Sequence, residues 1–221
     1  MRIVDFDIGL SPGSFPEPRE VNLRYRAFVE AVVTELRATR PEAPWRKFYV
    51  SFTDQGQEPT WMPALPNVGL SSAGVHVGIQ DPALLTIRGE AIRSHLAEAI
   101  VGLRSFVSAE SGWDDPRFWE LVERIGSNRG PYHRAISLAT DRKTAVSYCL
   151  LYEFDEAGTR QVVEAFRASA RDVSLGRTVI NDFPGQWDWF DGRVPQKVRL
   201  TPDGIEVRDR AGVLLRIQRP G

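Results

Sequence analysis

The segment VPQKVRLTPDGIEVRDRAGVLLRIQR, residues 194–219, has the clearest structural pattern in this 221-residue chain. Apolar side chains alternate with polar ones in three short runs, and this period of two places one set on a buried strand face. Turn sequences at 201–204 and 209–212 separate the runs, and each ends in glycine. The segment therefore predicts a three-stranded antiparallel meander over 198–218. Its predicted inward-facing residues are Val198, Leu200, Ile205, Val207, Val213, Leu215 and Ile217.

The apolar face of such a meander must be buried against other elements. Upstream, apolar residues recur at helical spacing in four stretches, 19–39, 90–107, 116–126 and 159–173. We expect these helices to cover the meander. The predicted strands are 2–10, 48–52, 75–79, 134–139, 144–155, 179–183 and 187–190, and several adjoin through short turns. Short turns favour antiparallel pairing, so the pattern predicts an α+β fold with antiparallel sheets rather than βαβ winding.

Two further features of the fold are predicted. The strand within 144–155 is apolar on one face throughout, with Tyr148, Leu150 and Tyr152 at its centre, and we expect it to be a central strand. Residues 127–131 are the one weak internal boundary, between a helix-rich half and a strand-rich half. Five residues make a poor linker, so we predict a single domain over 1–221.

Composition narrows the functional classes. Hydrophobic residues make up 42% and charged residues 26%, as in soluble globular proteins, and the formal net charge of −1 argues against nucleic-acid or anionic-membrane partners. No apolar stretch approaches the roughly 18–20 residues needed to span a bilayer. Acidic residues near Met1 are atypical of a secretory signal, and the single cysteine, Cys149, agrees with a reducing compartment. We expect a cytoplasmic protein.

Asp5 and Asp7 form the sharpest motif-like feature. Two carboxylates two residues apart project from one strand face, and such a pair can hold Mg²⁺ while one carboxylate acts as nucleophile. The pair, placed at the end of the first predicted strand, resembles the first motif of haloacid-dehalogenase-type phosphatases, although its flanking residues differ from that pattern. The resemblance implies Ser51 or Thr53 as the second motif and Asn181-Asp182 as the last. The alternative is an acidic pair on the wet face of an edge strand.

Other chemistry has weaker signals. The histidines His76, His95 and His133 are far apart and lack metal-ligand spacing, and Cys149 lies within the most apolar strand, where a buried inert thiol is expected. The sequence contains no GxSxG, P-loop or GxGxxG motif. We predict no metal site and no cofactor.

Tryptophans supply the predicted binding residues. Trp61 lies in a proline-rich stretch, 55–69, which we expect to be a long irregular loop. Trp187, Asp188 and Trp189 lie in the aromatic-rich stretch 183–192. These tryptophans either pack into the core or form a recognition surface, since exposed tryptophan is enriched among interface anchors.

Two functional classes stay open. The first is a non-catalytic intracellular protein-binding module of the toxin-immunity type, with another protein as partner and Trp61, Trp187, Asp188 and Trp189 as contacts. The second is a metal-dependent phosphatase-like enzyme that uses Asp5 and Asp7.

Overall fold

The computed structural model describes residues 2–3, 5–10, 18–53, 58–63, 72–79, 83–184, 196–209 and 211–218. Helices, one mixed sheet and two antiparallel sheets combine in an α+β fold, which confirms the predicted class. The chain divides into two compact units, Met1–Gly130 and Pro131–Gly221. The division falls within the predicted boundary at 127–131, and the single-domain assignment stays a prediction.

The first unit contains a four-stranded sheet and the helices. Its strands are β1 (Asp5–Leu10), β2 (Lys47–Thr53), β3 (Thr60–Met62) and β4 (Ser72–Gly78). Its helices are α1 (Pro18–Thr39), α2 (Ala83–Thr86), α3 (Ala91–Val101), α4 (Arg104–Ser111) and α5 (Pro116–Ser127).

The first sheet differs from the antiparallel expectation. Its order is β1-β2-β4-β3; β1 pairs with β2 in parallel, and so does β4, whereas β3 is antiparallel to β4. The long helix α1 returns the chain between β1 and β2, so these three elements form a βαβ unit that the sequence pattern did not predict. The edge position of β1 agrees with its pattern, and the three-residue strand β3 interrupts the predicted loop at 55–69.

Helix boundaries follow glycine and capping residues. The predicted helix 90–107 is two helices, because the chain turns at Gly102, a poor helix former, before α4 begins. The α5 helix begins as predicted, with Asp115 as N-cap accepting a hydrogen bond from the backbone N–H of Arg117 and with Pro116 at the first position.

Aromatic side chains fill the core of the first unit. Phe48 of β2 stands in edge-to-face contact with Phe118 and Trp119 of α5, at ring-centroid distances of 5.6 and 6.5 Å. Trp113 lies 5.6 Å from Trp119 and 5.3 Å from Trp45. These contacts join the apolar face of the sheet to the helices.

The second unit contains two sheets. Strands β5 (Tyr132–Asp141), β6 (Val146–Asp155), β7 (Gly158–Arg167) and β8 (Ala170–Pro184) pair in sequence order, all antiparallel. The predicted hairpin at 134–155 and the central strand are confirmed as β5 and β6, and Leu150 is fully buried. The helix predicted at 159–173 is wrong, because these residues form β7 and the start of β8. The β-branched pair Val162-Val163 suits a strand, and hydrogen-bonded partners on both sides of β7 outweigh local helical spacing.

The meander is confirmed as β9 (Lys197–Thr201), β10 (Gly204–Arg208) and β11 (Val213–Gln218). Its apolar face packs against the β5–β8 sheet, so its cover is a sheet rather than the expected helices. The core between the sheets joins Val198, Ile205 and Val207 to Tyr148, Leu150, Val163 and Ala165.

Val213 departs from the predicted face of the meander. The register of β10 with β11 shifts between Val207 and Arg208, so Val207 pairs with Leu215 and Arg208 with Val213, leaving Leu214 as an extra residue. The bulge places Val213 in phase with Arg208, and its side chain is 41% exposed.

Among the described residues, no helix is both long and apolar enough to cross a membrane.

Candidate functional site

Asp5 and Asp7 lie on one face of β1, as their spacing predicts. Each carboxylate accepts a hydrogen bond from the backbone N–H of its following residue, Phe6 or Ile8, at 3.0 Å. The Lys47 ammonium on β2 lies 3.4 Å from an oxygen of Asp5 and 3.3 Å from one of Asp7. A cationic side chain therefore already sits between the two carboxylates.

The acidic pair opens β1 rather than ending it. Asp5 is the first residue of β1 and Leu10 is the last, whereas ligands of parallel sheets bind outside the carboxyl ends of the strands. Ser51 and Thr53 lie on β2 and are buried. Asn181 and Asp182 lie on β8, in the other compact unit, where Asn181 donates to Gln161 and Asp182 accepts from Arg160. Within the part of the chain that the structure describes, no three His, Cys, Asp or Glu side chains cluster as metal ligands.

A polar sheet face surrounds this pair, and the sequence reasoning missed its extent. Register places Asp7, Tyr49 and Gly74 side by side, with Ser51 and His76 in a following row. The Tyr49 hydroxyl lies directly over Gly9, where a Cβ would overlap it. Burial raises the pKa of Tyr49, the charge of Asp7 raises it further, and a hydrogen bond with Ser51 opposes them. The sequence signal for this polar face was the alternation of polar with apolar residues in β1 and β2.

Of the four predicted binding residues, Trp61 lies in the described structure. It is partly buried on β3, with its ring centroid 5.2 Å from that of Trp45. At that separation the two rings are in direct contact, so no ligand fits between them. Trp187, Asp188 and Trp189 lie outside the described residues. A binding role for all four stays a prediction.

The other singled-out residues have structural partners. His95 is partly buried, and its Nδ1 lies 3.0 Å from the carbonyl oxygen of Ala91. Cys149 is buried on β6, as expected for an inert thiol. His133 on β5 pairs with Glu153 on the adjacent strand β6, with Nδ1 3.3 Å from Oε1.

The second unit presents a surface that sequence reasoning did not identify. Tyr148 and Leu150 pack against the meander, so the intervening positions of β6 point to the opposite face of the sheet. On that face, register aligns an apolar row across all four strands. The row consists of Ala135, Leu151, Val162 and Val179, and we call this side of the sheet the stripe face.

Exposed apolar side chains mark the two edges of the stripe face. Val179 on β8 is 51% exposed, and Leu138, one row further along β5, is also 51% exposed. A flanking row carries charge or titratable groups on all four strands, since His133, Glu153, Arg160 and Asp182 align in register.

Glu153 anchors that polar row. It is buried, and its carboxylate forms an ion pair with Arg177 of β8 in addition to its contact with His133. Arg177 reaches from β8 to β6, and Val162 of β7 lies between these two positions in the register. The Arg160–Asp182 pair, with 3.4 Å between Nε and Oδ2, extends the row to the sheet edge.

Comparisons of this chain with protein-family models, with curated proteins and with solved structures find no match.

Proposed function

We propose that the protein is a non-catalytic protein-binding module that contacts its partner through the stripe face. One observation carries the proposal. An apolar row crosses four strands; Val162 within it is buried, and the accessible apolar side chains lie at the sheet edges, where Val179 and Leu138 are each 51% exposed. Exposed apolar patches bordered by polar residues are typical of protein interaction sites.

The polar row defines the rim of this surface. Arg160 and Asp182 are exposed on one side of the apolar row. On the other side of the row, Arg177 of β8 faces Glu164 of β7. Both signs of charge are present, so a matching partner carries a mixed-charge rim around an apolar centre. A protein surface meets this description better than nucleic acid or an anionic membrane does, which agrees with the net charge of −1.

We propose further that the module acts in the cytoplasm and that its partner belongs to a toxin-immunity type of pair. The single cysteine, buried and outside any disulfide, supports a reducing compartment. Tight inhibition of a toxin needs a preformed surface, and a four-stranded sheet provides a rigid one. The direct check on this toxin-immunity pairing is whether the neighbouring gene encodes a toxin.

The experiment is capture of a partner from the native lysate with the wild-type chain and five variants. We expect Leu138→Asp and Val179→Asp to lose the partner, because each places a charge within the apolar contact. Val213→Asp is the matched control, since Val213 is a similarly exposed valine on the meander. Trp61→Ala and Trp189→Ala test the predicted tryptophan contacts. If only these two variants lose the partner, the binding site lies at the tryptophans and not on the stripe face. If every variant retains the partner, neither the stripe face nor the tryptophans form the binding site.

The phosphatase-like alternative is supported by one observation, the placement of the Asp5 and Asp7 carboxylates where one cation contacts both. A divalent metal at this point would have to displace the Lys47 ammonium. The test is Mg²⁺-dependent hydrolysis of para-nitrophenyl phosphate by the wild type, Asp5→Asn and Lys47→Met. Mg²⁺-dependent turnover by the wild type that is abolished by Asp5→Asn would contradict the binding-module proposal in favour of an enzyme.

A further inference from the structure

The solvent-facing side of the meander carries a cluster of cationic side chains. Val198, Ile205 and Val207 point into the core between the sheets, so the alternate positions of these strands point away from it. All the charged residues of the three strands occupy such positions, and they are Lys197, Arg199, Glu206, Arg208 and Arg216. We call this side of the meander the basic face.

The basic face has an excess of positive charge that the chain as a whole does not share. Its four cations exceed its single carboxylate by three, whereas the formal net charge of the chain is −1. Lys197 and Arg199 on β9 are exposed, and the side chain of Arg216 is 78% exposed. Among the described residues, neither Lys197 nor Arg199 forms an ion pair. The basic face therefore presents positive charge to solvent that its own carboxylate does not balance.

Glu206 orients two of the arginines. Its side chain is 14% exposed, and its carboxylate oxygens lie 3.2 Å from Nε of Arg216 and 3.9 Å from Nη1 of Arg208. Register places Glu206 directly between Arg199 of β9 and Arg216 of β11. A side chain that is already oriented loses less conformational entropy when a ligand binds. The basic face is therefore partly preorganised for a ligand that carries negative charge.

The spacing of the cations matches that of an extended acidic chain. Lys197 and Arg199 lie two residues apart on β9, and side chains on one face of a strand repeat about every 6.6–6.8 Å. An extended peptide repeats its own alternate side chains at the same distance, so carboxylates at alternate positions can meet successive cations. The planar guanidinium of arginine also binds a carboxylate through two parallel hydrogen bonds.

We propose that the basic face binds an extended acidic segment of a partner protein, with Asp or Glu at alternate positions. Nucleic acid is a poorer match, because proteins that hold single strands stack bases on aromatic side chains, and β9, β10 and β11 contain no aromatic residue. A net charge of −1 gives no long-range attraction to a polyanion. A uniformly anionic membrane would also repel Glu206, which lies among the cations.

This inference goes beyond the stripe face and does not depend on it. The meander packs on the side of the β5–β8 sheet opposite the stripe face, so the two surfaces lie on opposite sides of Pro131–Gly221. Failure of either surface to bind leaves the other unaffected.

The test is fluorescence anisotropy of a short labelled peptide that alternates Glu with Ser, titrated with the full chain at low salt. We expect saturable binding that weakens by about tenfold or more when salt rises from about 50 mM to about 500 mM. The same peptide with Gln in place of Glu should not bind.

Charge reversals locate the site. Lys197→Glu combined with Arg199→Glu should weaken peptide binding by about tenfold or more, because two attractions become repulsions. Arg37→Glu combined with Arg124→Glu makes the same change of net charge at exposed arginines of Met1–Gly130 and is the matched control. This control should leave peptide binding unchanged within about twofold.

Each variant is first compared with the wild type by its urea midpoint, and Arg216→Glu serves as a second basic-face variant should the double reversal fail to fold. The proposal is overturned if the wild type binds the Glu peptide no more tightly than the Gln peptide. It is overturned as well if a folded basic-face variant keeps wild-type affinity, or if the control loses as much affinity as the basic-face variant. Tighter binding of oligothymidylate, or of vesicles that contain phosphatidylserine, would replace the acidic segment with nucleic acid or a membrane.

Discussion

Arg93 is the most deeply buried charged residue in the part of the chain that the structure describes. It lies fully buried on α3, and its Nη1 donates to the carbonyl oxygen of Gly130 at 2.5 Å. Glu90, one turn earlier, accepts from the backbone N–H of Gly130 at 2.7 Å, so the two side chains together hold the chain beyond the C-terminus of α5. We expect Arg93→Met to cost about 1–3 kcal/mol in free energy of unfolding, because the partly buried Gly130 carbonyl loses its donor. Urea denaturation measures this, and a loss similar to that of the exposed Arg124→Met would contradict it.

Tyr152 makes the stability of the fold decrease at alkaline pH. Burial raises the pKa of Tyr152 to about 12, although the charge of Arg134 opposes the shift. A phenol whose pKa is higher in the folded state stabilises the fold below its unfolded value of about 10, and that stability is lost as pH rises towards 12. We expect the urea midpoint of the wild type to fall between pH 10 and 12, and that of Tyr152→Phe to fall less. Equal losses in both proteins would assign the alkaline transition to other groups.

At the scale of single elements, β6 is the strand on which the second unit depends. Leu150 is fully buried between the two sheets, so Leu150→Ala should cost about 2–5 kcal/mol through lost burial and the cavity that remains. Leu138→Ala, an exposed leucine on the neighbouring strand, is the matched control and should cost less than about 0.5 kcal/mol. Chemical denaturation compares the two, and a loss below about 1 kcal/mol for Leu150→Ala would mean that β6 is not central to stability.

The α5 helix depends on one cap. The Asp115 side chain accepts hydrogen bonds from the backbone N–H groups of Arg117 and of Glu42, so it joins the helix start to a distant segment. We expect Asp115→Ala to cost about 1–2 kcal/mol and Asp115→Asn, which keeps an acceptor, to cost less.

The Arg117 guanidinium lowers the pKa of Asp115, so its stabilisation is present above its ordinary pKa and is lost as pH falls through the lowered value. Comparing the two variants with the wild type by urea midpoint at pH 7 and below pH 3 checks both points; equal costs for Asp115→Ala and Asp115→Asn would contradict the cap.

At the scale of the whole molecule, the single-domain prediction can be tested by unfolding with two probes. In a Trp187→Phe, Trp189→Phe background, the four remaining tryptophans all lie in Met1–Gly130, whereas the single cysteine, Cys149, is buried in Pro131–Gly221. A single cooperative domain requires tryptophan fluorescence and Cys149 thiol reactivity to show the same urea midpoint. Separated midpoints would replace the single domain with two.

The sequence by itself determined the features that depend on local pattern. Strict alternation predicted the meander and the buried face of β6, and an Asp-Pro pair predicted the start of α5. These features are readable because period-2 alternation and capping chemistry act over a few residues. The local pattern also placed Asp5 and Asp7 on one face, although it could not supply the Lys47 ammonium between them.

Tertiary structure alone decided which partner each element meets. The segment 159–167 has helical spacing, yet hydrogen bonds to β6 and β8 make it a strand, because a ladder on both sides outweighs local propensity. The parallel pairing of β1 with β2, the sheet that covers the meander and the exposure of Val213 likewise depend on register between distant segments. The stripe face exists only through that register, because its residues come from four different strands of the chain.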